Sequence, residues 1–194
     1  SISRRQMLFG AAAAPFIARS AFAASKQNIL FIAVDDLNDW IGCLGGHPQA
    51  RTPNLDRVAS QGVLFTNAHC AAPLCNPSRA ALMTGIRPST SGVYDNNQPW
   101  RKSDVLKDAV TLSSHFRANG YRAIGSGKIY HGGFPDAQSW DDYFPNQTRN
   151  VPPQPKLAEP LPMNGIPRTA HFDWGPIANP DNEMSDYQVV DWVS

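Results

Sequence analysis

The sequence predicts an α/β fold in which a largely parallel β-sheet is flanked by helices. The first observation is a continuous apolar run at 28–34, rich in β-branched residues, which is typical of a strand buried on both faces. The second is the order of the segments that follow, in which strand-like and helix-like patterns alternate along the chain. Strands separated by helical connections pair in parallel, so a parallel sheet is expected.

The helix after the first strand has clear start and stop signals. Thr52 is an N-cap residue, and Pro53 suits the first helical position because its missing N–H is not needed there. Gly62 is placed to end the helix. The apolar side of this helix, which we expect to face the core, consists of Leu55, Val58 and Ala59.

The remaining elements are assigned by the same kinds of signal. In chain order they are a short strand at 63–65, a helix at 77–83 ended by Gly85, a helix at 111–119 with Leu112 and Phe116 facing inward and Gly120 at its end, a strand at 121–125, and a helix at 183–193. Between 132 and 180 the periodicity is lost, and nine of the 17 prolines lie between Pro145 and Pro180. This stretch is predicted to be a long irregular excursion.

Residues 1–23 have the layout of a secretory signal peptide, with a basic start, an apolar run and a small-x-small cleavage pattern that ends at Ala23. The paired Arg4 and Arg5 resemble the twin-arginine export signal, so the twin-arginine machinery is an expected partner. The expected destination is the periplasm or exterior of a bacterium. The alternative is an amphipathic first helix of the domain, although the run has no polar face. Because the run is far shorter than the ~20 residues of a membrane span, no membrane anchor is expected.

Composition limits the classes of protein to which the chain can belong. Of its 194 residues 42% are hydrophobic, which is enough for a buried core and argues against a disordered chain. The net charge of +1 argues against a nucleic-acid binder that acts through bulk charge. Three cysteines are too few for a disulfide-rich scaffold. Cys43 and Cys70 are either a pair that forms after export or two small buried residues.

The most informative segment is 75–85, which reads Cys-Asn-Pro-Ser-Arg-Ala-Ala-Leu-Met-Thr-Gly. Pro77 starts a helix well, which places the Cys75 side chain at a helix N-terminus, where unpaired N–H groups and the helix dipole favour an anion. Arg79, one turn into the helix, adds a fixed cation beside it. Without its flanking residues, Cys75 would be taken for a buried structural cysteine. A thiolate nucleophile is the second alternative.

This segment resembles the signature of the sulfatase family, Cys-x-Pro-Ser-Arg followed by Thr-Gly, at every defining position. The resemblance implies an alkaline-phosphatase-like α/β sandwich. It also implies that a formylglycine-generating enzyme converts Cys75 to formylglycine, whose aldehyde hydrate attacks sulfur. The resemblance extends from about Asn28 to the end of the chain, so 24–194 is expected to be the N-terminal part of a larger catalytic domain, with both ends of the sequence cut.

Asp35 and Asp36 directly follow the first predicted strand. Ligands of open α/β sheets gather beyond the carboxyl ends of the strands, and two carboxylates there suit a hard divalent cation. By itself, an Asp-Asp pair is more often a solvated loop. The resemblance to sulfatases implies instead one calcium ion, held by Asp35, Asp36 and the formylglycine at position 75, which polarises the sulfate ester.

The segment Gly127-Lys128-Ile129-Tyr130-His131 follows the last predicted strand. Its Gly-Lys-x-x-His spacing resembles the iduronate-2-sulfatase branch of the family, as do the segments 34–37 and 91–97 and the pair at 100–101. The resemblance implies that Lys128 holds a sulfate oxygen and that His131 contacts the hydrate or the leaving oxygen. The alternatives are a surface lysine and a loop histidine.

Taken together, the resemblance implies a sulfuric ester hydrolase that acts on a sulfated sugar or polysaccharide. Its catalytic residues would be Cys75, Arg79, Lys128 and His131. Two alternatives stay open: a phosphonate monoester or phosphodiester hydrolase with the same nucleophile, and a non-catalytic binding module. Because the family completes its calcium and sulfate sites with residues that come later in the domain, the 194 residues alone are expected to be inactive. Four further residues either line the substrate mouth or pack loops: Asp95, Asn97, Trp100 and Arg101.

Overall fold

The computed structural model describes residues 26–148, 151–156, 162–169 and 173–194. These residues fall into two compact units, of which the first ends at Asp36 and the second spans Leu37–Ser194. The predicted signal peptide at 1–23 lies outside the described residues. In the part of the chain that the structure describes, no helix is both long and apolar enough to cross a membrane.

Helices and a two-stranded sheet make up the regular structure of the second unit. In chain order they are α1 (Pro53–Gln61), α2 (Cys75–Thr84), α3 (Pro88–Ser91), α4 (Leu112–Ala118), β1 (Ile124–Ser126), β2 (Asp142–Phe144) and α5 (Ser185–Val193). Short 3₁₀ turns lie at Trp100–Lys102, Ala137–Ser139 and Asp181–Glu183.

The two strands pair in parallel, with Ile124 opposite Asp142 and Ser126 opposite Phe144. This pairing, with helices before and after it, confirms the predicted α/β class. The chain returns from the end of β1 to the start of β2 through residues 127–141, which we call the β1–β2 connection. This connection contains a 3₁₀ turn but no α-helix.

Two helices of the second unit, α2 and α4, lie close to where the sequence predicts them. α2 ends at Gly85, whose left-handed backbone, with φ +73°, stops the helix as predicted. α4 begins after Thr111, whose Oγ1 accepts a hydrogen bond from the Ser114 N–H at 3.2 Å. The glycine stop was predicted, whereas Thr111 was expected inside the helix and instead caps it.

Two predicted strands are wrong. Residues 28–34 form no strand, and their apolar side chains are exposed, as Ile32 is by 71%. Residues 63–65 also form no strand, and Val63 is 79% exposed. A strand needs a neighbour for its N–H and C=O groups, and within the described residues the sheet consists of β1 and β2. An apolar run shows that a segment can be buried, but it does not supply the partner strand.

The predicted inward faces of two helices are also wrong. α1 has the predicted bounds, but Leu55 and Val58 are exposed rather than buried. Leu112 in α4 is likewise exposed. Thr52 precedes α1 without capping it through its side chain; its hydroxyl instead donates to Asp56 Oδ1 at 3.1 Å.

The two observed strands differ from the predicted ones, β1 in its bounds and β2 because no strand was predicted there. β1 occupies 124–126 rather than 121–125, and the stretch predicted to be irregular contains β2. β2 has only three residues, too few to show the alternation of apolar and polar residues that marks a strand. α5 lies within the predicted helix at 183–193.

The core of the second unit is small and lies around α2. Its buried members are Ala80, Met83, Val93, Trp100, Leu106 and Tyr130. The Trp100 and Tyr130 rings stack with their centroids 5.4 Å apart and their planes 6° from parallel. Because Tyr130 belongs to the β1–β2 connection, the core packs this connection against α2.

Candidate active site

Cys75 is the first residue of α2. The helix begins two residues before the predicted start, so Pro77 lies at the third position, where it supplies no N–H. The Asn76 N–H donates to Asn96 Oδ1 at 2.9 Å. One of the backbone N–H groups that were expected to favour an anion at this helix N-terminus is therefore already hydrogen-bonded within the protein.

Asn76 is a residue that the sequence analysis missed. Its side chain is 1% exposed, and its Nδ2 donates to the carbonyl oxygens of Asp95 and Gln98, each at 2.8 Å. Together with the bond to Asn96, these contacts tie the start of α2 to residues 95–98. A polar residue directly after the candidate nucleophile was the available signal, but its partners lie about 20 positions away in the sequence.

The β1–β2 connection brings Lys128 to the start of α2. Gly127 has φ +78°, a left-handed conformation that turns the chain directly after β1. The Lys128 Nζ then lies 3.3 Å from the Cys75 Sγ, and both residues are half-buried. The structure thus joins two candidate residues that are 53 positions apart.

Arg79 is 7% exposed and binds the backbone of the same connection. Its Nη1 donates to the carbonyl oxygen of Lys128 and, at 3.3 Å, to that of Ile129. The guanidinium therefore links α2 to the residue whose ammonium contacts Cys75. Arginine suits this place because it stays charged when buried and offers several donors in one plane.

His131 lies three residues after Lys128, with its half-buried ring beside Phe134 at a centroid distance of 6.1 Å. Asp35 and Asp36 belong to the first unit, where both are exposed and Asp36 has a left-handed backbone with φ +54°. Across the described ranges, no three His, Cys, Asp or Glu side chains are grouped as metal ligands. Asp35 and Asp36 offer the carboxylate oxygens that calcium prefers, but they are two of the about six to eight ligands it takes.

The segment 95–101 was expected either to line the substrate mouth or to pack loops, and its two ends differ in this respect. Trp100 is 1% exposed, and its Nε1 donates to the Phe134 carbonyl oxygen at 3.2 Å. Arg101 forms a two-pronged ion pair with Asp136. These two residues therefore pack loops, whereas Asp95 and Asn97 are exposed.

The three cysteines are unpaired. Cys70 is exposed, so the expectation that it is a small buried residue is wrong. Cys43 is half-buried, and its N–H donates to Asp56 Oδ1 at 2.8 Å.

Two buried tyrosines hold the connection as neutral groups. Burial raises the pKa of Tyr143 to about 12, and burial also raises the pKa of Tyr130. The Tyr143 hydroxyl donates to the Gly127 carbonyl oxygen. Neither phenol ionises near neutral pH, so both tyrosines act as uncharged hydrogen-bonding groups, and the charged group that contacts the Cys75 Sγ is the Lys128 ammonium.

Comparison with known proteins identifies the family. The family model described as Sulfatase matches residues 27–191, which include α2 and the β1–β2 connection. A protein named sulfatase from Formosa agariphila is 40% identical over 179 residues, which cover 87% of this chain and 35% of the relative.

Two further relatives have more specific names. Iduronate 2-sulfatase of Mus musculus is 41% identical over 121 residues, covering 62% of this chain and 21% of the relative. Delta 4,5-hexuronate-2-O-sulfatase of Bacteroides thetaiotaomicron is 37% identical over 111 residues, covering 57% and 23%. The chain spans about a third or less of the length of these relatives. The chain belongs to the sulfatase family, whose alkaline-phosphatase-like fold agrees with the predicted α/β class.

Proposed function

We propose that the natural protein hydrolyses sulfate esters of sugars and that residue 75 carries the nucleophile. The observation that supports this most directly is the 3.3 Å contact between the Lys128 Nζ and the Cys75 Sγ at the start of α2. An ammonium held there, with a buried guanidinium behind it, suits an anionic group that gains charge during the reaction. The names of the relatives, iduronate 2-sulfatase and Delta 4,5-hexuronate-2-O-sulfatase, support a sulfated sugar as the substrate.

The proposal includes two additions to the chain. A formylglycine-generating enzyme would oxidise Cys75 to formylglycine, and Asp35 and Asp36 would help to hold one calcium ion. When present, the aldehyde hydrate would supply an oxygen nucleophile and the calcium ion a Lewis acid. The two adjacent carboxylates fit calcium by their donor atoms, and further oxygen ligands would complete the set.

The residues of the chain would then divide the remaining work. The Lys128 ammonium would bind a sulfate oxygen and stabilise the negative charge that grows on it in the transition state. Arg79 would keep Lys128 in place through the carbonyl oxygens that it binds. His131 would give a proton to the alcohol oxygen as the sulfur–oxygen bond breaks.

The proposal also covers the place of action. Residues 1–23 would direct the protein to the twin-arginine export machinery, and 24–194 would form the N-terminal part of the catalytic domain in the periplasm or outside the cell. Mass spectrometry of the exported protein should then find Ala24 as its first residue. A protein that keeps residues 1–23 after export would contradict this part.

The test is hydrolysis of an aryl sulfate by the natural protein, produced together with a formylglycine-generating enzyme. Cys75→Ala should reduce turnover to the background rate, whereas Cys70→Ala, at an exposed cysteine, should leave it unchanged. Lys128→Ala should lower kcat/KM by about 10²–10³, because one charge-stabilising contact is lost. Peptide mass spectrometry of the segment 75–85 shows directly whether the thiol has become an aldehyde.

Three results would contradict the proposal. Full activity in Cys75→Ala would remove the nucleophile. Faster hydrolysis of an aryl phosphonate than of the aryl sulfate would indicate a phosphonate hydrolase. An intact thiol at Cys75 with no turnover would indicate a non-catalytic binding module.

A further inference from the structure

A buried cluster of polar side chains holds the β1–β2 connection from within the second unit. Its members are Arg101, Thr111, Tyr130, Asp136 and Ser139. All except Arg101 are at most 5% exposed. Polar groups that are buried to this extent need hydrogen-bond partners, and these side chains find several of them in one another.

The ion pair of Arg101 and Asp136 is the charged end of the cluster. Arg101 Nε lies 3.0 Å from Asp136 Oδ1, and Nη2 lies 2.7 Å from Oδ2. The remaining nitrogen, Nη1, donates to the Ala109 carbonyl oxygen at 2.7 Å, and the guanidinium lies over the Trp100 ring at 4.2 Å. A lysine at 101 could keep the charge, but it could not make this fork or this stacking contact.

The Ser139 hydroxyl links the ion pair to Tyr130. The Ser139 hydroxyl donates its one proton to the Asp136 carboxylate, which only accepts. The Ser139 oxygen also lies 2.9 Å from the Tyr130 hydroxyl and 2.7 Å from Thr111 Oγ1. Since its proton is already given to Asp136, the Ser139 oxygen accepts in both contacts, so Tyr130 donates.

We propose that the Arg101–Asp136 ion pair, acting through Ser139 and the Tyr130 hydroxyl, positions the Lys128 ammonium against residue 75. The part of this proposal that concerns catalysis rests on the proposed sulfate-ester hydrolysis. Arg101, Asp136, Ser139 and Tyr130 are positioning residues, because they act through the backbone of the connection and not on the substrate.

The geometry around Lys128 explains why such anchoring is needed. Lysine has a flexible four-carbon side chain, so its ammonium stays in one place only if the backbone that carries it is fixed. Arg79 binds the carbonyl oxygens of Lys128 and Ile129. One residue further on, Tyr130 is held by its ring against Trp100 and by its hydroxyl at Ser139. The backbone that follows Lys128 is therefore held by two separate sets of contacts.

The first test measures the alkylation rate of Cys75 by iodoacetamide in the natural protein, produced without a formylglycine-generating enzyme so that the thiol is unconverted. Cys43→Ala and Cys70→Ala form the background, and peptide mass spectrometry of the segment 75–85 reports the reaction of Cys75 alone. Lys128→Gln should slow alkylation about fivefold or more, because the ammonium no longer attracts negative charge on sulfur. Arg101→Lys and Tyr130→Phe should each slow it by about threefold or more, because the ammonium moves away.

The matched control is Arg117→Lys, at a second arginine that pairs with an aspartate. Arg117 Nε lies 2.9 Å from Asp141 Oδ1, and its Nη1 donates to the Gln138 carbonyl oxygen at 2.6 Å. Arg117 thus holds the far end of the same connection near the surface, outside the cluster, so this control separates the cluster from another anchor of the connection. In Arg117→Lys, the alkylation rate of Cys75 should stay within about twofold of the rate in the parent protein. The sign of the effect separates positioning from general loosening, because loosening exposes the half-buried sulfur and speeds its reaction.

Slower alkylation in Arg101→Lys and Tyr130→Phe, but not in Arg117→Lys, supports the proposal. Unchanged or faster alkylation in the two cluster variants overturns it, and so does an unchanged rate in Lys128→Gln. In the natural protein, the same two variants should lower kcat on an aryl sulfate by about tenfold. Absence of turnover in the wild type would refute the proposed function alone, since the alkylation rates would still decide the positioning role.

Discussion

Replacing Asn76 by alanine tests whether contacts with residues 95–98 hold the start of α2. The Asn76 side chain is 1% exposed, and its Nδ2 lies 2.8 Å from the carbonyl oxygen of Asp95 and 2.8 Å from that of Gln98. A hydrogen bond of this kind contributes about 1 kcal/mol net, and a partly buried carbonyl that loses its donor adds a desolvation penalty. Asn76→Ala should therefore lower the free energy of unfolding by about 2–3 kcal/mol. Asn76→Asp should lower it further, because a carboxylate would face two carbonyl oxygens.

The assay is urea unfolding of the natural protein, with Asn97→Ala as the control. Asn97 lies in the same segment but is exposed, so its substitution should change the free energy of unfolding by less than about 0.5 kcal/mol. Equal losses at positions 76 and 97 would refute the reasoning. A more stable Asn76→Asp than Asn76→Ala would do the same, because it would show that the two carbonyl oxygens do not face the side chain.

Two other substitutions probe the β1–β2 region. Gly125→Ala would place its Cβ 2.7 Å from Tyr143 Cε2, so we expect about 1–3 kcal/mol of destabilisation, whereas Gly132→Ala, with open space around its Cβ, should be nearly neutral in the same urea assay. The raised pKa of Tyr143 favours the neutral phenol in the folded state, so its contribution is complete below pH 10 and is lost as the pH rises toward 12. That loss, about 3 kcal/mol at most, should be absent in Tyr143→Phe; equal pH dependence of the two urea midpoints would contradict it.

The elements that the sequence predicted well are those whose signals are local. Gly85 ends α2 because the left-handed conformation there suits glycine, and α4 lies within the predicted helix at 111–119, although Thr111 caps it from outside. By contrast, the apolar run at 28–34 predicted a buried strand that the structure does not contain. Burial of a strand depends on distant parts of the chain, and the run itself carries no information about them.

The candidate site shows the same division. The motif around Cys75 and the Gly-Lys-x-x-His segment were recognisable as residue patterns, and the structure brings Lys128 to Cys75. The supporting contacts were not recognisable. Asn76 binds residues about 20 positions away, and Arg101 binds Asp136 35 positions away. Such partners have no fixed spacing, so only the fold shows that they meet.

The β1–β2 connection also determines where the length of this chain can change. Its backbone is held at Gly127 by Tyr143, at 128–130 by Arg79 and the buried cluster, and again at Asp136 and Ser139. Between these anchors, Gly132 and Gly133 are exposed, and the space around their Cβ positions is open. Residues inserted at this glycine pair would extend into solvent directly after His131 and leave every anchor in register. The length of a surface loop next to the candidate catalytic residue His131 can therefore change without displacing Lys128.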